Sequence, residues 1–459
     1  MALQTRSIGR AHSKELGPTS SKALSHIPGD DGWPILGNTL KVLADPKGFV
    51  ERMVERHGLV VRGHTFGQAN VSLLGPDANE LVLLDSQKLF SSGLGWGSIL
   101  DLLFPRGLML LDFDEHRLHR RALAVAFKSG PMQAYLGELN AGIVAGLARW
   151  PRRREFKFYP AIKELTLDLA ATSFLGGELG PELDKVKRAF IDMVAASIAV
   201  IRKPLPGTQM RRGTRGRAFI VEYFARQIPQ RRARGGQDLF SRLCHVTWED
   251  GSLLSTEQIV DHMSFLMMAA HDTLTSSLTS FVHRLATHPA WQEEVRRELR
   301  GFGLAPGEPL PFERLDDFAT TEAAFKEAMR LTPPVPSIPR RAVRDFEFKG
   351  FRIPAGTNVN VNPLFTHYMP EVWPEPGRYD PTRFGTAASR GRHKFAFVPF
   401  GGGAHMCLGL NFSHMQAKCF AWHFFNRFRV SMAKDYRPSW SMWPIPYPRD
   451  GLKVTLDAV

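Results

Sequence analysis

Cysteine is scarce in this chain: Cys244, Cys407 and Cys419 are all it has in 459 residues. So sparse and odd a set excludes a disulfide scaffold and fits a reducing compartment, with at least one thiol free for other work. Long apolar runs are missing as well. The longest candidates, such as 193–201, are short and carry a serine, whereas a membrane span needs roughly 18 consecutive apolar residues. No internal repeat and no linker divides the chain. Disorder and fibrous repetition are excluded by a composition of 43% hydrophobic and 23% charged residues, which can bury a sizeable core.

Acids are the other shortage. Lys and Arg number 59 against 45 Asp and Glu, a net charge of +14, which raises nucleic acid, an anionic membrane surface or an acidic protein as partners. Ten of the basic residues (Arg202, Lys203, Arg211, Arg212, Arg215, Arg217, Arg226, Arg231, Arg232 and Arg234) fall together with one acid, Glu222, and contribute +9. Nucleic-acid binding calls for aromatic or polar readers among the cations. The nearby Phe219, Tyr223 and Phe224 suit the buried face of an amphipathic helix equally well, so a solvated loop and helix face is the simpler reading. Arg6, Arg10, Lys14 and Lys22, with Glu15 as sole acid, give the first 26 residues the composition of a transit peptide. No apolar face repeats there at helical spacing, and a disordered polar tail over 1–26 is the expectation.

Pro28, Gly29, Gly32, Pro34 and Gly37 punctuate the segment after this tail, and short β-like runs with turn residues extend from Leu59 to Leu84. Helical patterns dominate 116–329. The longest reads as one helix over 256–300, opened by a Ser255 cap and closed before Gly301. Short strands return over 343–361, including Phe346-Glu347-Phe348 and a hairpin-like Pro354-Ala355-Gly356, and a proline-rich loop stretch covers 363–399. The expected fold class is mainly α with a small β region, in one domain over 27–459.

The passage richest in chemistry is Phe400-Gly401-Gly402-Gly403-Ala404-His405-Met406-Cys407-Leu408-Gly409. Neither phosphate-binding glycine motif is met. The glycines instead permit a backbone lying close against a flat object. A helix comes next over 410–427, with Met415, Cys419 and Trp422 on one face, so Cys407 stands near a helix N-terminus, where dipoles and free N–H groups favour a thiolate. Cys419 and Cys244 read as core or incidental thiols.

Phe400-x-x-Gly403-x-x-x-Cys407-x-Gly409, with His405 two residues before the cysteine, resembles the haem-ligand loop of the cytochrome P450 family. The resemblance extends from about Ile27 to the C-terminus. It implies a single-domain P450 fold holding haem b, with the Cys407 thiolate as fifth iron ligand and Phe400, Gly401 and Gly403 around it. Glu327, Arg330 and Arg383, followed in order by the cysteine loop, are similar to the family's lock beneath the haem. His116 and Arg120, four apart on a helix, together with Arg340 (or the adjacent Arg341) and His405, match its propionate partners. Ala269-Ala270-His271-Asp272-Thr273 resembles its acid–alcohol motif, in which Thr273 would hydrogen-bond bound O2 and Asp272 would relay protons. Ala270 departs from the usual glycine, and Leu274 from a common Thr or Ser.

The activity so implied is a monooxygenase that hydroxylates a lipophilic small molecule with O2 and electrons from separate redox partners. Segments matching family substrate contacts are apolar here: Trp96, Ile99 and Leu103; Phe265, Met268 and Ala269; Val335 and Ile338; Trp443 and Ile445. No flavin or iron–sulfur domain is fused to the chain, so an acidic ferredoxin-type donor with its reductase is implied. Arg390, Arg392, Lys394 and Lys418 are candidates for its docking face. A cytoplasmic monomer with no transmembrane anchor and no nucleic-acid partner is the expectation, or an organelle-targeted protein if the tail is a transit peptide. Peroxide-driven or oxygen-independent chemistry, and more remotely a haem sensor, stay open.

Overall fold

The computed structural model describes residues 16–176, 182–199 and 201–459. Its strands are β1 Gly29–Asp30, β2 Val60–Thr65, β3 Gln68–Leu73, β4 Phe90–Ser91, β5 Glu155–Lys157, β6 Ile338–Ala342, β7 Phe346–Phe348, β8 Phe351–Ile353, β9 Asn358–Val361, β10 Phe428–Ser431, β11 Trp440–Ser441, β12 Tyr447–Pro448 and β13 Lys453–Ala458. The main sheet runs β1-β2-β3-β9-β6-β4. It joins residues nearly 300 positions apart in sequence, because β3 pairs in parallel with β9 (Val71 opposite Val359). The β7–β8 hairpin turns at Lys349–Gly350, both at positive φ (47° and 80°), as a two-residue turn requires. The hairpin expected at Pro354–Gly356 is therefore misplaced. That segment carries the chain across to β9, with the Ala355 N–H donating to the Asp345 carboxylate (2.8 Å).

The longer helices are α1 Pro46–His57, α2 Pro76–Leu84, α3 Ser92–Leu100, α4 Phe113–Ala124, α5 Ser129–Ala148, α6 Phe158–Leu175, α7 Leu183–Ser197, α8 Gln209–Arg234, α9 Thr256–Thr287, α10 Pro289–Arg300, α11 Ala319–Leu331 and α12 Leu410–Phe425. Ser255 caps α9 as expected, in a reciprocal box with Gln258. The single helix expected over 256–300 is two. Pro289 brings no N–H and crowds the preceding residue, so His288 leaves the helical region (φ −128°, ψ 75°) and ends α9 where α10 begins. α9 lies at the centre, packed against α6, α8, α10, α11 and α12.

Of the residues expected as tail, 16–26 lie on the sheet side. The Thr19 backbone N–H and hydroxyl donate to Gly356 O (3.1 Å) and Ala355 O (3.0 Å), and Leu24 is buried. Arg6, Arg10, Lys14 and Glu15 lie outside the described residues. The basic segment is also less free than a solvated face. Arg231 binds Asp238, Ser241 and Leu175 O, and Arg232 binds Cys244 O and Leu254 O. Arg226 pairs with Glu182, and Tyr223 and Phe224 are core residues of α8, as the amphipathic reading expects.

Histidine is unusually frequent in the interior. Burial is the first cause that holds His262, His283 and His367 down to about 3, and His414 and His423 down to about 4. Cations assist at each: His119 and Arg106 act on His262, Arg284 on His283, Arg330 on His367, Lys326 and Lys418 on His414, and Arg427 on His423. An unfolded chain protonates these rings near pH 6.5 while the native state does not. Their contribution is thus complete above that pH and lost as pH falls toward 4, at up to about 1.4 kcal/mol per pH unit for each ring. Guanidinium unfolding at a series of pH values should show the native state excluding several protons below about pH 6. A slope below one proton would contradict it.

Candidate functional site

Cys407 follows a one-turn 3-10 helix, Gly403–His405, and precedes α12 by three residues. Its N–H donates to Phe400 O (2.9 Å), which closes the loop on itself. Gly403 serves a packing purpose as well. A Cβ there (φ 59°) would lie 2.0 Å from Leu83 O, so this residue admits the C-terminal turn of α2. Gly401 supplies only its backbone conformation (φ 71°). Cys407 has accessible surface, yet protein surrounds it closely enough that burial pushes its thiol up, against the Gly409 N–H and the Arg120 charge. A side chain that is both accessible and enclosed borders an internal cavity.

His116 and Arg120 project from α4, Arg340 from β6 and His405 from the cysteine loop. All four line one cavity of about 570 Å³ together with Gly403. The His116 and His405 rings lie 3.8 Å apart. Burial first, then the neighbouring guanidiniums, holds His116 down to about 4 and His405 to about 2. Arg340 is buried and lowered to about 10 by desolvation, opposed by Asp112 and Asp85. Neither acid is available to it. Asp112 accepts from Ser91 Oγ and the N–H groups of Ser92 and Gly93, and Asp85 from those of Leu89 and Phe90. Among the described residues Arg120 and Arg340 have no ion-pair partner. Converging donors, two of them guanidiniums without an ion-pair partner, with the Cys407 sulfur close enough to Arg120 to act on its charge, fit a group with two carboxylates and a thiolate-bound metal. Haem is such a group.

Glu327 and Arg330 of α11 are fully buried and joined by two bonds (2.7 and 2.8 Å). Arg330 also donates to the carbonyls of His367 (2.7 Å), Pro376 (2.8 Å) and Arg378 (3.2 Å). Arg383 approaches Glu327 at 3.4 Å, and the Asp380 N–H donates to the same carboxylate (2.9 Å). Sequence reasoning missed the next link, His367. Its Nε2 accepts from the Val398 N–H (3.0 Å), so Nδ1 carries the proton toward Arg330 O (3.2 Å). The cysteine loop thereby hangs from the buried pair. A lone histidine within a proline-rich loop stretch was the available signal.

α9 is buried along most of its length, but Met268, Ala269, Ala270, Asp272 and Thr273 keep accessible surface in its middle. A central helix can be accessible there only by bordering a void. Thr273 Oγ1 donates to Ala269 O (2.8 Å). Asp272 pairs with Lys163 of α6 (3.0 Å), a partner not anticipated. His271 faces inward, its Nε2 against Lys163 O (3.1 Å). Trp96 and Ile99 lie half-buried on α3, which packs on β6 beside Ile338, with Val335 just ahead of that strand. Trp443 stacks on Phe66 (5.6 Å), in the turn between β11 and β12 that also carries Ile445. Leu103 is a correction: at 1% exposure, against Gly213 of α8, it has no surface left for a ligand. Phe265 is likewise packed, on Gly107. Of the docking cations Arg390 and Lys394 are exposed, whereas Lys418, 11% exposed, is tied to Glu322 (2.7 Å) and Leu315 O (2.8 Å).

Comparison with known proteins gives a consistent picture. The family profile described as Cytochrome P450 matches residues 27–444. A protein named cytochrome P450 136 from Mycobacterium tuberculosis is 37% identical over 446 residues, covering 96% of this chain and 90% of the relative. A taxane 10-beta-hydroxylase from Taxus cuspidata is 30% identical, covering 94% and 89%. Among solved structures, retinoic acid-bound cyanobacterial CYP120A1 superposes with a TM-score of 0.85 at 29% identity, covering 94% of this chain and 99% of that one.

Removing one member of a buried ion pair leaves the other charge uncompensated. Glu327→Ala should therefore lower unfolding free energy by about 3–5 kcal/mol, measured in guanidinium. Arg383→Ala, at the partly accessible edge of the network, should cost markedly less. Equal losses would contradict the assignment of Arg330 as the charge at stake.

Proposed function

The chain belongs to the cytochrome P450 family and is a cytochrome P450 monooxygenase, and from that premise we propose that it hydroxylates an isoprenoid-class lipophile with electrons from a separate ferredoxin-type donor. The observation that carries the reading is Cys407, enclosed yet accessible and within reach of the Arg120 charge, where Arg120 and Arg340 have no ion-pair partner among the described residues and share one cavity with His116 and His405. Cys407 would hold the iron of haem b, and His116, Arg120, Arg340 and His405 its carboxylates. Bound haem supplies the oxygen activation and C–H oxidation.

The chain's own residues bind, orient and manage protons. Asp272 lies between Lys163, which is partly exposed, and the interior, the arrangement needed to bring a proton from solvent to the Thr273 hydroxyl. Thr273 presents that hydroxyl on the accessible stretch of α9. Trp96, Ile99, Met268, Ala269, Val335, Trp443 and Ile445 offer apolar surface and no fixed charge, which suits a lipophile held by shape. The names of a taxane hydroxylase and of a retinoic acid-bound structure among the relatives support an isoprenoid. Arg390 and Lys394 remain as exposed cations for an acidic donor.

Reduced protein under carbon monoxide should give the strongly red-shifted Soret band of thiolate ligation, and Cys407→Ser should abolish it. A histidine-like band in the unaltered protein would sink the haem assignment. Titration with isoprenoids, retinoic acid among them, should shift the ferric spin state. A response confined to charged or small polar compounds would overturn the substrate class.

A further inference from the structure

His271 stands beside Asp272 in the middle of α9 and is buried, with 5% of its surface exposed. Its two ring nitrogens meet two acceptors. Nε2 lies 3.1 Å from the Lys163 carbonyl oxygen of α6. A carbonyl cannot donate, so Nε2 carries the hydrogen of the ring. Nδ1 lies 3.3 Å from Asp272 Oδ1. In the neutral ring that nitrogen is bare, and its lone pair faces a carboxylate oxygen. Asp272 Oδ1 is itself buried and accepts no hydrogen bond, because the Lys163 ammonium, 3.0 Å away, pairs with it by charge and not by a directed bond. Two buried acceptors so close repel each other unless a proton stands between them.

The surroundings set how firmly such a proton is held. α6 contributes Lys163, Tyr159 and Thr166, and β12 contributes Tyr447, stacked on Tyr159 at 5.8 Å. Thr166 and Thr275 bond to each other (2.6 Å) and to main-chain carbonyls, so neither serves the ring. Burial first, then the Asp272 and Tyr447 charges, raises the Tyr159 hydroxyl and keeps it neutral. Burial is also the first cause that lowers His271 below the usual imidazole range; Asp272 opposes it, and Lys163 adds to it. A proton on Nδ1 is therefore held by one carboxylate against desolvation and an ammonium, loosely enough to be given up. Among the described residues no other buried histidine lies within ion-pairing reach of a carboxylate. His367 meets a carbonyl and an N–H, and His119 and His262 meet each other (2.7 Å).

We propose that His271 and Asp272 hold one proton between Nδ1 and Oδ1, which makes His271 a positioning residue that acts through the acid beside it. The inference rests on the reading of Asp272 and Thr273 as proton carriers. With the proton on Nδ1 the pair is imidazolium and carboxylate; with the proton on Oδ1 it is imidazole and carboxylic acid. The move changes no other group and leaves the net charge as it was. When Asp272 passes this proton toward the Thr273 hydroxyl, the ring is left neutral and the carboxylate ionised. One proton from water then recharges the pair through the carboxylate, at the edge where the Lys163 side chain is 35% exposed. His271 is no through-wire, because Nε2 stays on the Lys163 carbonyl. It is a store with a single outlet.

The ring can be read directly by nitrogen NMR of the full-length, haem-loaded protein with isotope-labelled histidine, reduced and bound to carbon monoxide so that it is diamagnetic. The His271 signals are those lost in His271→Gln, whose amide can still donate to the Lys163 carbonyl but cannot take a second proton. At high pH the ring should carry its hydrogen on Nε2, and Nδ1 should gain a proton as pH falls. Asp272→Asn removes the charge that favours this proton and should lower the midpoint by about one to three pH units. Lys163→Gln removes the opposing ammonium and should raise it by about one unit. A ring with its hydrogen on Nδ1 at high pH, a midpoint indifferent to Asp272→Asn, or a ring that stays neutral in the unaltered protein to the acid limit of the fold would each overturn the proposal. So would an equal shift of the distant His367 signals, which would mark a general rearrangement. The carbon monoxide spectrum of the same samples keeps the two readings apart. A thiolate band with an indifferent midpoint overturns the shared proton alone, whereas a histidine-like band overturns the haem assignment and leaves the titration to decide the shared proton.

Discussion

The arrangement of the site depends on one buried ion pair. Glu327 and Arg330 have no contact with water, and desolvating two charges costs several kcal/mol for each. The cost is offset because nearly every polar atom of the pair finds a partner. Arg330 takes both carboxylate oxygens and three main-chain carbonyls, and Glu327 also accepts from the Asp380 N–H. Those partners all come from 367–380, a stretch with little regular structure of its own. A guanidinium with five donors in a fixed fork can organise such a segment, whereas an ammonium or a hydrophobic side chain could not. His367 then extends the order to Val398, two residues before Phe400. The loop that carries Cys407 is positioned from a distance by charge, through a neutral imidazole whose tautomer is set by its two partners.

The cavity at His116 and His405 has the opposite character. Of its guanidiniums Arg117 and Arg121 are paired with acids, whereas Arg120 and Arg340 are not, and the nearby acids Asp85 and Asp112 are committed to backbone N–H groups. Burial raises Asp85 to about 6 and also raises Asp112, which weakens them further as counter-charges. The guanidiniums so arranged repel one another and keep the two imidazoles neutral, and the local cost is relieved by anions. Perturbed groups gathered in this way mark a binding site rather than a stabilising network. The lock is satisfied internally, while the donor cluster is not.

The same contrast explains what was legible in the sequence. Cys407, Glu327 with Arg330, and the donors His116, Arg120, Arg340 and His405 could be identified because each stands in a short pattern whose order along the chain is informative. The mainly helical class and the Ser255 cap were equally readable from local periodicity. What could not be read depends on partners far away in sequence. Gly403 is glycine because α2 lies against it, 320 positions earlier in the chain on the Leu83 carbonyl. Lys418 looked like a docking cation until Glu322 was seen beside it. His367 has no local pattern at all. The hairpin at Lys349–Gly350 and the break at Pro289 were different: both turn signals were present, and stronger neighbouring patterns obscured them.

The proposed function draws these parts together at α9. The helix is enclosed by α6, α8, α10, α11 and α12, and its accessible stretch carries Thr273, and Asp272 toward Lys163. A hydroxyl bonded back to the carbonyl four residues earlier stays within the helix's own hydrogen-bonding system. Thr273 can therefore present its oxygen to the cavity without leaving an unpaired proton in an apolar wall. Asp272 cannot be satisfied in that way. A carboxylate at mid-helix needs either a cation or water, and Lys163, accessible on one side, gives it contact with both. Acid and alcohol are adjacent in sequence, yet one belongs to the dry side of the helix and the other to its wet edge. In the proposed proton path, this placement lets a proton cross the helix while bulk water does not.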